Sequence, residues 1–264
     1  MSDTRSQFLG RAVGIAVGIG THLLFAFTVW HLVWFLVGHS GAGVPLAGSD
    51  PFGSTLNLIA ADTLLAAGFA IPHSVLLLPA VRRRLVERLI PAPFYGCFFS
   101  VVTCLALLMT IFCWRTSAIV VWAWPQGVAP WVVRAFIAAW VFLLWSLHLT
   151  GLGYQTGFTP WWQWVRGLKP QKREFVTRGA YVYLRHPVYL AFLGLVWLTP
   201  VVTLDRAVLI VVWTAYIYVG SVLKDRRLLL HIGNPYREYQ SRVPGYPGIP
   251  LGPLARLPFL TGRP

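Results

Sequence analysis

Six long apolar stretches constrain the fold of this chain more than any other feature of its sequence. Of its 264 residues, 56% are hydrophobic and only 11% are charged, whereas soluble domains are about one-quarter charged. A helix of about 20 apolar residues crosses the ~30 Å hydrocarbon core of a bilayer. The sequence therefore predicts an all-α integral membrane protein with five to six transmembrane helices. The stretches are 12–37, 55–78, 93–113, 130–152, 188–200 and 204–223.

The last two stretches differ from the others in length and spacing. The fifth, 188–200, is short and reaches only part-way across a bilayer unless its helix begins before Pro187. The sixth follows it almost at once. The pair therefore predicts a tight helical hairpin whose turn lies at 199–205.

The basic residues are distributed unevenly between the connections. Of the 22 Lys and Arg residues, all but Arg115, Arg134 and Arg206 fall on one side of a six-helix arrangement. Because cytoplasmic loops carry an excess of Lys and Arg, we expect both termini on the cytoplasmic side. This accounts for the net charge of +14 without nucleic-acid binding, since the bases form no stripe on a soluble face. No organelle signal is visible, which favours a bacterial inner membrane.

Most polar residues lie on the predicted cytoplasmic side, in the loop 153–187 and the tail 224–264. We expect a single membrane domain, 1–264, with its functional site within 153–244. Pro and Gly interrupt regular structure, and the tail contains the segment VPGYPGIPLGP. The tail therefore predicts an extended C-terminal strap packed on the cytosolic surface.

The first segment with a chemical pattern is 179–189, with the sequence GAYVYLRHPVY. Pro187 suits the first position of a helix, which would place Arg185 and His186 beside N–H groups that attract an anion. Three tyrosines add aromatic faces that can hold a cation such as a sulfonium: Tyr181, Tyr183 and Tyr189. Two interpretations remain open, a carboxylate clamp beside a cation-binding face or a basic and aromatic belt at the membrane interface.

The second segment, 223–239, continues the sixth helix past the bilayer and meets a Gly-Asn-Pro helix stop. Asp225 is the one acid at the charged end of the helix, beside Lys224, Arg226 and Arg227. It could accept hydrogen bonds from a bound ligand, or it could pair with Arg226 or Arg185. Two tyrosines further on could close over a site or anchor the tail at the headgroups: Tyr236 and Tyr239.

A few polar side chains lie within the apolar stretches themselves. Asp62 is predicted near the middle of the membrane, where an acid is by default a functional candidate. We favour a structural hydrogen bond to a histidine of another helix. The candidate partners are His22, His31 and His148. These histidines could also form a metal or haem site, but no helical ligand pattern such as His-x-x-Glu-His is present, and we expect no metal.

Taken together, these motifs resemble one known group of membrane enzymes. The RHPVY segment, the helical hairpin, the charged helix end and the pattern GNPYxxYxxxVP are similar to the isoprenylcysteine carboxyl methyltransferase-like membrane methyltransferases. Within that group, the run YLRHPVYLAFLGLVWLTPVVT most resembles the methanethiol S-methyltransferases. The segments HSVLLLPAVRRRLVERLIP and VVWAW also look like this group and like the related NnrU-type membrane proteins. The resemblance covers about 68–244.

The resemblance implies an S-adenosylmethionine site on the cytosolic side and a methyl acceptor that arrives from within the membrane. In such enzymes the RHPVY segment and the charged end of the last long helix surround the cofactor. The predicted cofactor-binding residues are Tyr183, His186, Pro187, Tyr189, Asp225, Arg226, Tyr236 and Tyr239. The catalytic candidates, which could activate a thiol as a base or as a nearby cation, are His186, Arg185 and Arg226.

The sequence departs from the resemblance at the end of the sixth helix. The family usually has two adjacent glutamates followed by arginine, and this chain has Lys224, Asp225 and Arg226 instead. Asp225 keeps one acid, shortened by a methylene, whereas Lys224 reverses the charge of the other. This difference bears on cofactor affinity, substrate choice and activity.

The predicted function is S-adenosylmethionine-dependent methyl transfer to a small or lipophilic thiol, with the conversion of methanethiol to dimethyl sulfide foremost. A thiolate that attacks a sulfonium methyl neutralises two charges, and a dry pocket strengthens their attraction and holds them in line. Two alternatives remain. One is methylation of an isoprenylcysteine-like carboxylate, and the other is a non-catalytic accessory role in the membrane, as in NnrU-type proteins.

Overall fold

The apolar stretches fold into helices in the computed structural model, which describes residues 2–38, 44–45, 51–171 and 175–258. The helices are α1 (Ser2–Val37), α2 (Pro51–Leu76), α3 (Pro79–Arg88), α4 (Tyr95–Cys113), α5 (Ala129–Leu149), α6 (Leu152–Gln155), α7 (Phe158–Val165), α8 (Pro187–Trp197), α9 (Leu204–Ile232) and α10 (Asn234–Arg242). The strands are β1 (Val44–Pro45), β2 (Arg115–Thr116), β3 (Val120–Ala123) and β4 (Val201–Thr203). β1 pairs with β2 in parallel, and β3 pairs with β4 antiparallel. Three bases expected on the cytoplasmic side lie outside the described residues: Lys172, Arg173 and Arg263.

Five helices in the described part of the chain are long and apolar enough to cross a membrane, which confirms the predicted fold class. They are Gly10–Val37, Thr55–Leu76, Ala92–Cys113, Ala129–Leu149 and Leu204–Ile232. The predicted fifth stretch forms α8, whose 11 residues rise only about 16 Å. α8 is therefore too short to cross a membrane, as its short apolar stretch predicted.

Close packing of Cα atoms groups the chain into two units, 1–118 with 151–173 and 119–150 with 174–264. In the first unit, α1 and α2 both pack against α4, and α7 packs against α1 and α4. Trp161 of α7 donates a hydrogen bond from Nε1 to the carbonyl oxygen of Gly14 at 3.0 Å. Gly157, at φ 79°, lies against Gly96 so closely that a Cβ on either residue would overlap the backbone of the other. The single-domain organisation stays a prediction.

Asp62 has a structural partner in the first unit, but a different one from the histidines considered above. Its Oδ1 accepts a hydrogen bond from the backbone N–H of Arg115 at 3.0 Å, and its side chain is fully buried. His22 bonds instead through Nδ1 to the carbonyl oxygen of Gly18. Asp62 thus attaches the start of β2 to α2. Among the described residues, no three His, Cys, Asp or Glu side chains gather as a metal site would require.

The second unit is built on α8, which packs against both α5 and α9. The α8–α9 turn is held by β4 on β3 and by the N–H of Leu204, which donates to the carbonyl oxygen of Ile119 at 2.9 Å. This turn falls at 198–203, as the hairpin prediction placed it. The β3–β4 pair therefore lies at the same end of this unit as the α8–α9 turn. The start of α8 lies at the opposite end of that helix.

The end of α9 and the tail complete the second unit. α9 ends at Gly233, where a φ of 75° reverses the chain, as the Gly-Asn-Pro stop predicted. The sequence did not predict α10, which begins at once with Pro235 in its first turn. Beyond α10 the tail packs as an irregular strap, with Tyr246 and Leu254 buried. The N–H of Gly245 donates to the carbonyl oxygen of Leu254 at 2.7 Å and closes a loop within the strap.

Candidate functional site

The strap pairs with the residues that precede α8. The backbone N–H groups of Arg185 and His186 donate to the carbonyl oxygens of Pro244 and Gly245, at 2.9 Å and 3.3 Å. Pro187 then begins α8, where its missing N–H is not needed. Since the residue before a proline avoids helical geometry, His186 stays outside the helix, at φ −125° and ψ 51°, and is available for this pairing. The RHPVY segment and the tail are thereby fixed together.

Arg185 holds this arrangement from its side chain as well. It is 2% exposed, and its Nη2 lies 3.0 Å from Oδ2 of Asp225. The same guanidinium donates to three backbone carbonyl oxygens, those of Gln240, Val243 and Pro253, at 3.2, 3.2 and 3.1 Å. A guanidinium has five N–H donors in a rigid fork, which suits it to such a set of acceptors. Arg185 therefore joins α8, α9 and the tail at one point.

His186 meets the same carboxylate. Its Nε2 lies 3.0 Å from Oδ1 of Asp225, and the ring is fully buried. Both this contact and the Arg185 contact have ion-pair distances without the alignment of a well-formed hydrogen bond. The structure thus brings the RHPVY segment and the charged end of α9 into direct contact.

Two buried tyrosines of α10 support the contact from the tail side. Tyr236 donates its phenol proton to Oδ1 of Asp225, and Tyr239 donates to the carbonyl oxygen of Tyr181 at 2.5 Å. Burial raises the pKa of both phenols well above the usual value, and for Tyr236 the neighbouring Asp225 carboxylate adds to the effect. Both therefore remain hydrogen-bond donors at any pH in which the protein works. We call Arg185, His186, Asp225 and Tyr236 the buried cluster.

Aromatic rings surround His186 on its other sides. The ring of Tyr189 is nearly parallel to it, with centroids 5.6 Å apart and planes at 12°. The ring of Tyr246 lies 5.7 Å away. Burial lowers the pKa of His186 below its ordinary value, and the Asp225 carboxylate opposes that effect only in part. His186 is therefore held as a neutral imidazole, with one nitrogen that can accept a proton.

Several polar atoms of the buried cluster lack hydrogen-bond partners within the part of the chain that the structure describes. They are Nδ1 of His186 and Nε of Arg185, together with Oδ2 of Asp225, which has only its ion pair with Arg185 at 3.0 Å. Buried polar groups are satisfied in the great majority of cases, and each exception needs a reason. A bound ligand with donors and acceptors of its own would satisfy all three.

The length of α9 separates this cluster from the β3–β4 pair. The helix from Leu204 to Asp225 rises about 32 Å, close to the thickness of the hydrocarbon core. Since Leu204 adjoins the β3–β4 pair, the cluster lies about one membrane thickness from that pair. α8, with 11 residues, rises about half of this distance.

Two predicted site residues lie apart from the buried cluster. Tyr183 is 76% exposed, and Arg226 is exposed on α9. No hydrogen bond or ion pair links Arg226 to the cluster in the described ranges. Successive helical residues are separated by about 100°, so the burial of Asp225 turns Arg226 outward. The other predicted residues, Pro187, Tyr189, Tyr236 and Tyr239, lie in or against the cluster.

Lys224 precedes Asp225 on α9 and adds a positive charge beside the cluster. Its Nζ lies 5.0 Å from the centroid of the Tyr189 ring, in a cation–π contact. Tyr189 in turn stacks on His186. A cation therefore already lies on one of the aromatic rings that border the cluster.

Sequence reasoning missed Tyr246 and Ser221. Their hydroxyl oxygens are 2.5 Å apart and share a hydrogen bond, and both side chains are buried. Burial raises the pKa of Tyr246 to about 12, so its hydroxyl stays protonated. In the sequence, the signal for Tyr246 is an aromatic residue between the prolines of the strap, where turn residues are otherwise expected.

Tyr246 is also one wall of a cavity of about 330 Å³ in the second unit. The other lining residues are Leu190, Leu193, Thr214, Tyr218, Pro247 and Ile249. Apart from the hydroxyls of its Thr and Tyr residues, this lining is apolar. Because the Tyr246 ring also lies beside that of His186, it borders both the cavity and the buried cluster.

Comparison with known proteins gives a consistent result. No protein-family model matches the chain, and no solved structure matches it. Six curated proteins match over most of its length, and all are named methanethiol S-methyltransferase.

Three of these relatives illustrate the extent of the match. Methanethiol S-methyltransferase 2 of Bradyrhizobium diazoefficiens is 31% identical over 83% of this chain and 84% of its own length. Methanethiol S-methyltransferase 1 of the same organism is 28% identical over 88% and 80%, respectively. The enzyme of Crocosphaera subtropica is 26% identical over 90% and 93%. The alignments thus extend across nearly the whole chain in each case.

Proposed function

This chain belongs to the methanethiol S-methyltransferase family, and we propose that it transfers the methyl group of S-adenosylmethionine to methanethiol, giving dimethyl sulfide. The observation that carries the proposal is the contact of His186 and Arg185 with Asp225, each at 3.0 Å. This contact brings together the two sequence segments on which the resemblance rests. It also encloses the polar atoms that lack partners.

The residues present fit the methyl donor. Nδ1 of His186, Nε of Arg185 and Oδ2 of Asp225 offer one acceptor or donor each to the polar groups of a nucleoside and an amino acid. The Tyr189 ring has a face suited to a cation, over which Lys224 lies in this structure. When bound, S-adenosylmethionine supplies a methyl group on a positively charged sulfur, and the protein need only position and deprotonate the acceptor.

His186 is the residue best placed to take the proton of the thiol. A small thiol is mostly protonated at neutral pH, and its thiolate is the nucleophile. With Nε2 facing Asp225, a neutral His186 has the lone pair of Nδ1 free to accept the S–H proton. The electron pair left on the thiol sulfur would form the new carbon–sulfur bond, while the sulfonium–methyl bond of the donor would break and leave its electron pair on the neutral thioether. Asp225 would stabilise the resulting imidazolium, as the aspartate of a Ser-His-Asp triad stabilises its histidine.

Arg185 is better suited to positioning than to proton transfer. Its guanidinium already contacts Asp225 and three carbonyl oxygens, and arginine does not deprotonate in proteins. We assign it the role of holding Asp225 and the tail in place. Arg226 and Tyr183, which are exposed, are the weakest of the predicted site residues.

The apolar cavity beside Tyr246 is the proposed site of the acceptor. Methanethiol is small and apolar, and it partitions into a membrane. A pocket of about 330 Å³ with an apolar lining suits a small apolar thiol. We further propose that the buried cluster faces the cytoplasm, with both termini, in a bacterial inner membrane, because that side carries most of the bases.

The experiment uses the full-length protein in detergent micelles. Calorimetric titration measures S-adenosylmethionine binding, and gas chromatography of the headspace measures dimethyl sulfide after methanethiol is added. We expect binding and turnover in the wild type. His186→Ala should lose turnover and keep its thermal unfolding transition, whereas His231→Ala, at an exposed histidine of α9, should match the wild type.

Each other outcome points to a different conclusion. No binding at millimolar S-adenosylmethionine would overturn the proposal and favour the accessory role. Binding without dimethyl sulfide, but with methylation of an isoprenylcysteine-like carboxylate, would change the acceptor. Unchanged turnover in His186→Ala would remove His186 from the proposed mechanism.

A further inference from the structure

The contact between Lys224 and Tyr189 bears on how the site would treat a cation. Lys224 precedes Asp225 on α9 and places Nζ 5.0 Å from the centroid of the Tyr189 ring. That ring lies parallel to His186, which is fully buried within the cluster. The ammonium group thus occupies an aromatic face at the border of the site.

The charges around Tyr189 do not favour an added cation. Asp225, the acid of the buried cluster, already has Arg185 at 3.0 Å from one carboxylate oxygen. Its other oxygen has His186 at 3.0 Å and accepts the Tyr236 hydrogen bond. Lys224 adds a second full positive charge beside this engaged carboxylate. A sulfonium that approached Tyr189 would compete with an ammonium for the same type of contact.

We propose that Lys224 is a charge-selective determinant of ligand binding, an internal cation that a sulfonium must displace from Tyr189 and that a neutral thioether need not. The inference rests on the proposed function, since it concerns the same site. It assigns Lys224 a specific effect: to weaken binding of S-adenosylmethionine relative to its demethylated product, S-adenosylhomocysteine. The two ligands share the nucleoside, the amine and the carboxylate. They differ in one methyl group and in the charge on sulfur.

This effect has a direct consequence for turnover. A site that disfavours the sulfonium in the ground state and tolerates the thioether would retain its product. The lysine would then make the enzyme sensitive to the ratio of the two ligands. The lysine side chain is long and flexible and can move away from Tyr189. An ammonium group at the edge of the site is therefore compatible with a cationic methyl donor.

The test compares dissociation constants of the two ligands by calorimetry on the full-length protein in detergent micelles. In Lys224→Met we expect the ratio of the S-adenosylmethionine constant to the S-adenosylhomocysteine constant to fall about tenfold, the order of magnitude of a partly desolvated cation–π contact. Lys224→Arg, which keeps the charge, should retain the wild-type ratio. Arg237→Met, at an exposed base of α10, controls for the loss of net charge.

The outcomes separate this inference from the proposed function. A wild-type protein that binds neither ligand at millimolar concentration overturns both. A protein that binds both ligands with the same ratio in Lys224→Met as in the wild type overturns the role of Lys224 alone. Lys224→Gln provides a second neutral side chain, so a folding defect in the Met variant does not leave the comparison undecided.

Discussion

Nε2 of His186 lies 3.0 Å from Oδ1 of Asp225, which joins the first residue before α8 to a residue most of the way along α9. The contact is fully enclosed by protein, because His186 is 0% and Asp225 is 5% exposed. An ionised carboxylate at such depth is stable only with partners that compensate its charge. Asp225 therefore depends on its partners in the buried cluster, Arg185, His186 and Tyr236.

Arg185 should matter first for stability. Arg185→Ala leaves the buried Asp225 without its main cation and three carbonyl oxygens without their donor. Breaking a buried ion pair costs about 3–5 kcal/mol of unfolding free energy, and thermal unfolding in detergent should show a loss of that size. Arg185→Lys should recover little of it, because an ammonium lacks the guanidinium fork. Arg237→Ala is the exposed control, and equal effects at 185 and 237 would contradict this account.

Tyr236 and Tyr183 offer a matched pair of substitutions. Tyr236→Phe removes only the hydroxyl that donates to Asp225, and a hydrogen bond to a buried charged group contributes about 1.5–3 kcal/mol. Tyr183 is 76% exposed, so Tyr183→Phe should leave both stability and S-adenosylmethionine affinity unchanged. Thermal unfolding and calorimetry measure the two quantities. A marked loss of affinity in Tyr183→Phe would restore that residue to the site.

The buried His186 should make the protein less stable in mild acid. Because burial lowers its pKa in the folded state, the unfolded chain binds a proton first as pH falls below about 6.5. The unfolding free energy therefore falls as pH drops from that value through the lowered pKa, by at most about 1.4 kcal/mol per pH unit. The charged groups that act on His186 are Asp225, Lys224 and Arg185.

Melting temperatures between pH 8 and pH 5 measure this effect. His186→Asn should flatten the profile over that range, while His231→Asn, at an exposed position, should leave the wild-type slope in place. A wild-type profile that is already flat would mean that His186 is not held neutral by burial.

The cavity beside Tyr246 should control the acceptor and not the donor. Leu193 is part of its lining, and Leu193→Phe would fill much of the space. We expect KM for methanethiol to rise about tenfold, since misplacing a reactant by about 1 Å has large effects, with no change in the dissociation constant of S-adenosylmethionine. Val219→Phe, on an exposed face of α9, is the control for added bulk. An unchanged KM in Leu193→Phe would place the acceptor elsewhere.

Local patterns in the sequence were sufficient for the membrane-spanning helices and for the short α8, but not for α10. Apolar length predicts spanning helices, the short stretch after Pro187 predicts the limited α8, and Gly233 predicts the end of α9. The one acid at the charged end of α9 required a partner, and Arg185 was one of the two bases considered for it. These inferences depend on residues close together in sequence.

The rest depends on contacts that no local pattern encodes. Asp62 bonds to a backbone N–H of β2, whereas side-chain chemistry had suggested a histidine. Ser221 lies in an apolar helix, and only the fold of the strap brings Tyr246 to it. The contacts of Asp225 with Arg185 and His186 bury one face of α9. Arg226 lies on another face and is therefore exposed.

The most direct test of the proposed activity follows the methyl group itself. Full-length protein in detergent micelles is incubated with methanethiol and S-adenosylmethionine whose transferred methyl carries three deuterium atoms, and the headspace is analysed by mass spectrometry. We predict dimethyl sulfide that retains all three deuteriums, with none formed by Asp225→Asn. Folded protein that binds the donor and yields no labelled dimethyl sulfide would contradict the account.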